Sequence, residues 1–221
     1  MKFWKFFTTT YRYSPLRTFE DETLRHFITT LDDNQHILDL GGGKKSDYAP
    51  LFSSHTLDSL NISEHMHPTI VADLTQPLPT KDASYDLIIS MNTLEHIPSL
   101  LPTLPEALRT LKPNGTLFLT LPFLHHTHGL PHDYARYSES SLNLTLRTIG
   151  FIDITITPLG HGAFTACASN LHGLFPKLLR PLLCGLAYFF DSALFLFSKK
   201  YRKHFGPHIF ALGYAITAKK Q

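Results

Sequence analysis

Between Phe123 and Tyr137 stand His125, His126, His128 and His132, followed closely by Asp133, Tyr134, Arg136 and Tyr137. Imidazole exchanges a proton near neutral pH, so His128 is the first candidate for a general base. Asp133 would either orient it or act itself. The Arg136 fork can hold a carboxylate or phosphate at two points. Two plainer readings compete. Asp133 and Arg136 can pair with each other and pin the loop, or the histidines can join Asp133 around a metal. Their spacing matches no firm ligand pattern, and no metal is expected.

A second chemical feature is ILDLGGGKKSDY, Ile37 to Tyr48, in which an apolar run ends in Asp39 and breaks into Gly41, Gly42 and Gly43. Consecutive glycines suit a tight strand-to-helix turn that something approaches closely. The helix expected next would add unpaired N–H groups at its start. In NTLEHI, Asn92 and Glu95 fit a helix-capping box, so Glu95 is expected to be structural. His96 can either border a site or be a satisfied helix histidine.

The elements that must position these residues read as alternating strands and helices. FEDETLRHFITTL has helical spacing. HILDL, Ser54–Ile62, Thr69–Leu74 and Tyr85–Met91 read as short buried strands. LPEALRTLKPNG is a helix ended by Pro113-Asn114-Gly115, and TLFLTLPF is a fifth strand. In SESSLNLTLRTIGF, Ser138 caps a helix that Gly150 closes. FIDITIT and HIFALGYAIT follow as later strands. This alternation implies an α/β domain around a mostly parallel sheet. Ligands of such sheets bind beyond the carboxyl ends of the strands. Asp39 to Gly43, Asn61, Asp73, Asn92 and the segment after Leu121 all fall at such ends.

Residues 159–206 interrupt the alternation. Leu182 to Phe197 is nearly continuous in apolar residues, broken by Asp191 and followed by Lys199, Lys200, Arg202 and Lys203. The run falls short of the roughly 20 residues a bilayer span needs. It reads as an apolar helical insertion packed on the domain or on a second copy, or as an interfacial helix touching a membrane through residues 178–203. The aromatic and basic N-terminal arm, residues 1–19, reads as a docked or frayed segment or a second membrane contact, and it lacks the pattern of a signal peptide.

The whole 221-residue chain is expected to form one domain. Its formal charge of +2 speaks against nucleic acid as a partner. Two cysteines, Cys167 and Cys184, suit a reducing compartment, so a cytoplasmic location is expected, with peripheral membrane attachment as an option.

In order, ILDLGGG, VADL, YDLIISMNTLEHI, LKPNGTLFLTLPF and HGLPHDYARYSESSLNLTLRTIGF resemble the class I S-adenosylmethionine-dependent methyltransferases. The resemblance is to the group called methyltransferase type 11 and covers about Ile37 to Thr157. It implies a Rossmann-like, mostly parallel seven-stranded sheet flanked by helices, with the apolar insertion before the last strand. It also implies S-adenosyl-L-methionine as cofactor. Asp39, with Gly41 and Gly43, matches the motif that holds the methionine end. Asn61 stands where an acid usually binds the ribose, with Asp58 as its rival, and Lys45 stands where many members carry a third glycine. Asp73 and Leu74 match the adenine contacts, and Ser90, Met91 and Asn92 would line the cofactor pocket.

The histidine-rich run matches the family's substrate-side loop, making His96, His125, Tyr134 and Arg136 candidates for holding the acceptor. The implied reaction is in-line methyl transfer to a small-molecule, glycan or lipid-like acceptor. Two alternatives stay open: a methyltransferase-like protein that binds without catalysis, and a nicotinamide-dependent oxidoreductase using a similar glycine turn.

Overall fold

The computed structural model describes residues 3–129 and 132–221, with side chains from Phe6 onward. The expectations for the first residues of the N-terminal arm therefore lie outside the described residues. Contacts divide the chain into two compact units. One comprises Arg25–Leu121, His128–Thr157 and Ala215–Gln221, and the other Met1–Leu24, Pro122–Thr127 and Pro158–Tyr214.

In chain order the helices and strands are α1 (Phe3–Thr9), α2 (Pro15–Ile28), β1 (His36–Leu40), β2 (Thr56–Asn61), β3 (Ile70–Val71) and β4 (Tyr85–Met91), then α3 (Leu100–Thr110), β5 (Leu111–Pro122) and α4 (Glu139–Ile149). They continue as β6 (Ile152–Leu159), α5 (Ala163–Leu171), α6 (Arg180–Phe197), α7 (Lys199–Phe205) and β7 (Gly213–Lys219).

The strands form one sheet in the order β3-β2-β1-β4-β5-β7-β6. Strands β1 to β5 pair in parallel, with Asp39 opposite Ser59 and Ile89. Bonds from Asn114 N to Lys220 O and from Lys220 N to Gly115 O show that β7 runs antiparallel to β5. The central strands are largely apolar because both faces are covered: Ile37, Leu38, Leu87, Ile88 and Ile89 are fully buried. In α3, Leu100, Leu104 and Ala107 recur at helical spacing and are buried. In α4, Ser138 Oγ accepts from Ser141 N, and Gly150 closes the helix at φ 114°. This architecture is the Rossmann-like one, with the helical insertion placed before the last strand.

Three elements depart from the sequence expectation. No α-helix follows the glycines; the chain makes a 3-10 turn, Ala49–Phe52, with Pro50 inside it. The loop tightens on itself instead, with Gly43 N donating to Ser46 Oγ and Ser46 N to Gly43 O. The third strand shrinks to Ile70–Val71 because Asp73 Oδ1 accepts from Thr75 N and turns the chain away. Strand β5 begins at Leu111, ahead of Pro113-Asn114-Gly115.

The other unit is built largely on α6. Phe6 is fully buried and packs against Phe19 and Tyr188, which joins the N-terminal segment to the insertion. Asp191, the acid that interrupts the apolar run, is also fully buried. It accepts from the N–H groups of Phe164 and Thr165, from Thr165 Oγ1 and from Tyr201 OH, so it caps the start of α5 and ties α6 to α7. Among the described residues, α6 is the one helix long and apolar enough to cross a membrane, and little of it is buried.

Candidate active site

At the carboxyl ends of β1, β2, β3 and β4, Gly41, Asn61, Asp73, Leu74 and Asn92 line one cavity of about 600 Å³. That volume suits a nucleoside-sized ligand. A second cavity of about 630 Å³ opens at the opposite ends of β4 and β5 beside the Asp86–Lys112 ion pair. The rule that ligands of open α/β sheets sit beyond the carboxyl ends favours the first.

The glycine turn is shaped mainly by its own neighbours. Gly41 adopts φ 91°, and a Cβ there would lie 2.2 Å from Thr93. A Cβ on Gly42 would fall 1.7 Å from Asp39 Oδ2, and one on Gly43 would fall 2.3 Å from the Met66 carbonyl oxygen. Gly41 lines the cavity, whereas Gly42 and Gly43 do not. Asn61 Nδ2 donates to the carbonyls of Gly41 (2.6 Å) and Gly42 (3.2 Å), and its Oδ1 accepts from Ser63 N. Asn61 thus fastens the turn from the next strand. Its rival Asp58 sits lower in β2, accepting from His36 Nε2 and Tyr85 OH, away from the cavity.

Asp39 lies fully buried beside Gly42 and does not line the cavity. Its Oδ1 accepts from Tyr48 OH at 3.2 Å, and its Oδ2 has no partner among the described residues. Burial raises its pKa to about 7, although the Tyr48 bond pulls the other way. Asn92, at φ 49°, also carries a buried oxygen without a partner among the described residues. Met91 is buried next to it, takes a contact from Thr120 Oγ1 at its sulfur, and does not line the cavity. Unpartnered acceptors at and beneath the glycine turn suit a ligand rich in donors, as an amino group and ribose hydroxyls are.

The other end of the cavity is formed by His96, Gly129, His132 and Tyr134. Asp133 is held by both Arg136 guanidinium nitrogens and accepts from His128 N at 2.9 Å. The guanidinium keeps its carboxyl far below the usual range, so Asp133 is a poor proton acceptor. The plainer pairing of Asp133 with Arg136 is therefore present, and Arg136 already holds a carboxylate. Nor does His128 line the cavity. Its Nδ1 lies 3.4 Å from Arg136 Nη2 and 3.6 Å from Asp133 Oδ2, and its Nε2 lies 3.5 Å from Glu95. His125 belongs to the other unit, where its ring lies tilted against that of His126 at 4.2 Å between centroids.

Glu95 corrects the sequence reading. It makes no capping box: the 3-10 turn Leu94–His96 has no side-chain cap, and both Glu95 oxygens are buried without a hydrogen-bond partner among the described residues. The sequence reading also missed Thr93, Gly129 and His132 as lining residues. Gly129 at φ 92° carried a legible signal, since a Cβ there would fall 2.5 Å from the His96 ring.

Residues 38–119 match the family model described as a methyltransferase domain. Among curated proteins, none matches this sequence. Among solved structures, a SAM-dependent methyltransferase from Archaeoglobus fulgidus is similar at 18% identity and a TM-score of 0.61, over 99% of this chain and all of that one. Phosphoethanolamine N-methyltransferase 2 of Haemonchus contortus, solved with S-adenosyl-L-methionine, is similar at 15% identity and a TM-score of 0.58. That match covers 91% of this chain but only 52% of the enzyme's length. The [4+2]-cyclase SpnF is similar at 20% identity and a TM-score of 0.56, over 92% of this chain and 80% of that one. At these identities the structural likeness speaks for the fold, and the match over 38–119 speaks for the family. The match over residues 38–119, the motif order, the sheet topology and the cavity at the glycine turn together support a class I S-adenosylmethionine-dependent methyltransferase of the type 11 group.

Proposed function

We propose that the carboxyl-end cavity holds S-adenosylmethionine along Gly41, Asn61, Asp73, Leu74 and Asn92, and a small-molecule acceptor beside His96, His132 and Tyr134. One observation carries this: residues from four strand ends, far apart in sequence, line a single cavity of nucleoside size. Bound there, the cofactor supplies an activated methyl group on a sulfonium. The chain's own contribution is alignment and exclusion of water.

Asp73 is placed to accept from the adenine amine through the carboxylate edge its Asx turn leaves over. Asn92 Oδ1 offers an unused acceptor to the cofactor. Asn61 acts indirectly, by fixing the carbonyls of the turn, and Asp39 offers charge from beneath it. Asp133 and Arg136 hold the acceptor-side loop and stay in one protonation state through the neutral range. In this reading they are positioning residues.

The test is calorimetric titration with S-adenosylmethionine, S-adenosylhomocysteine and NAD. Asp73→Ala should weaken the first two roughly tenfold or more, as loss of one good hydrogen bond implies. Selective NAD binding, or full affinity in the variant, would overturn the assignment.

A second observation concerns where the protein works. On the helical unit, Leu178, Leu182, Leu186, Phe189 and Phe197 are each about half exposed or more, Phe197 at 89%. The exposed cations Lys177, Lys199, Lys200 and Lys203 flank them, and Asp191, the sole acid between residues 159 and 212, is buried. We infer that this face lies on an anionic lipid surface, its apolar side chains in the headgroup boundary and its lysines on the phosphates. A lipid-like acceptor fits such a location.

A further inference from the structure

We propose that Glu95, His96 and His128 form a binding site for a first-row divalent cation of the zinc class, at the acceptor end of the cavity. The three side chains come from two segments of the sheet unit, and their ligand atoms lie within 4.8 Å of one another. Glu95 Oε1 is 3.5 Å from His128 Nε2 and 3.7 Å from His96 Nε2. Ligands at about 2.0–2.1 Å around a tetrahedral ion are about 3.3–3.4 Å apart. A shift of a few tenths of an ångström would bring both contacts to that spacing.

Three features set this cluster apart from an accidental meeting of polar groups. First, Glu95 is fully buried and neither oxygen has a hydrogen-bond partner among the described residues. A buried carboxylate in that condition is costly unless a cation or a proton neutralises it. The Arg136 guanidinium acts on Glu95 through its charge, but the hydrogen bonds described for it go to Asp133 and the Ala135 carbonyl.

Second, His96 Nδ1 lies 2.8 Å from the His132 carbonyl oxygen, which can only accept. The ring must donate there, so in neutral His96 it is the Nε2 lone pair that faces the Glu95 carboxylate. Two acceptors then face each other, with no donor between them among the described residues. Third, the His132 carbonyl behind His96 is the outer support that a ligating histidine normally has. His128 Nδ1 accepts from Arg136 Nη2 at 3.4 Å, with the Asp133 carboxylate 3.6 Å away, so its Nε2 points a proton at Glu95 that a metal would displace.

Two histidines and one glutamate leave a tetrahedral ion one open position, as in catalytic rather than structural zinc sites. His96 belongs both to this cluster and to the cavity wall. An ion there would bind an oxygen of the acceptor and lower its pKa, releasing the proton to solvent before the oxygen takes the methyl group. That role rests on the methyl-transfer reading above; the site itself does not. It also reverses the expectation of no metal, which considered the loop histidines with Asp133 and assigned Glu95 to a helix cap.

The test is equilibrium dialysis of the chelator-stripped full chain against Zn2+ and Co2+, with metal content measured and the Co2+ absorption spectrum recorded. We expect one tightly held ion per chain, tetrahedral Co2+ bands and a metal-dependent rise in melting temperature. Glu95→Gln, His96→Asn and His128→Asn should each weaken binding tenfold or more, with circular dichroism confirming that each variant folds. Absence of saturable binding by the folded wild-type chain would overturn the site. Equal binding by all three variants would also overturn it, since the metal would then sit on other histidines. Because metal content is read without cofactor, failure here is distinguishable from failure to bind S-adenosylmethionine.

Discussion

Asp39 has a pKa of about 7 because burial disfavours its charge, whereas the ordinary value is near 3.8. In the unfolded chain it loses its proton first. Between about pH 4 and 7 the folded state therefore binds more protons, and stability falls as pH rises. At 1.36 kcal/mol per pH unit, the part of this window between pH 5 and 7 is on the order of 3 kcal/mol. Urea denaturation at pH 5 and pH 8 should show that loss in the wild-type chain, and Asp39→Asn should remove it. An unchanged difference in the variant would mean that the carboxyl is solvated. The position of Asp39 beside the glycines was legible from its place at a strand end. Its isolation was not, because the Tyr48 bond and the Gly42 contact depend on how the loop returns. Glu95 is the converse case: NTLEHI fits a capping box on paper, and only burial against His128 from a distant loop shows otherwise.

At the scale of elements, the alternating pattern defined the sheet and its helices, since apolar runs such as HILDL and YDLIISM fit strands covered on both faces. The missing helix after Gly43 was not legible. Its residues do not forbid a helix, and the turn is decided by Ser46 bonding back to Gly43 and by the short path to β2. Asp191 shows how one polar residue can organise an apolar element. It serves α5 and α7 from within α6, and a Cβ on Gly162 would fall 2.5 Å from its carboxyl. Asp191→Ala would strip four donors of their shared acceptor and should cost about 3 kcal/mol or more. Denaturant unfolding followed through the single Trp4 and by circular dichroism would measure it. A loss under 1 kcal/mol would show that water replaces the carboxylate.

For the whole molecule, the two units carry different surfaces. The sheet unit holds the cavity, and the helical unit exposes the apolar and basic face of α6 and its flanks. If that face meets lipid, the protein should sediment with vesicles containing anionic phosphatidylserine and less with neutral ones, and added salt should weaken the association. Leu186→Gln with Phe189→Ser should reduce binding several-fold without altering cofactor affinity. A concentration-dependent dimer with no vesicle binding would show that the face meets a second copy instead.

The buried carboxylate beneath the glycine turn has a further consequence, in the heat of ligand capture. A cofactor bringing an ammonium group close to Asp39 would favour its ionised form, so binding near neutral pH would expel about half a proton per site. Titrations in phosphate and in Tris, whose ionisation enthalpies differ widely, would then give different apparent enthalpies at pH 7 and converge at pH 9. Asp39→Asn would erase the difference.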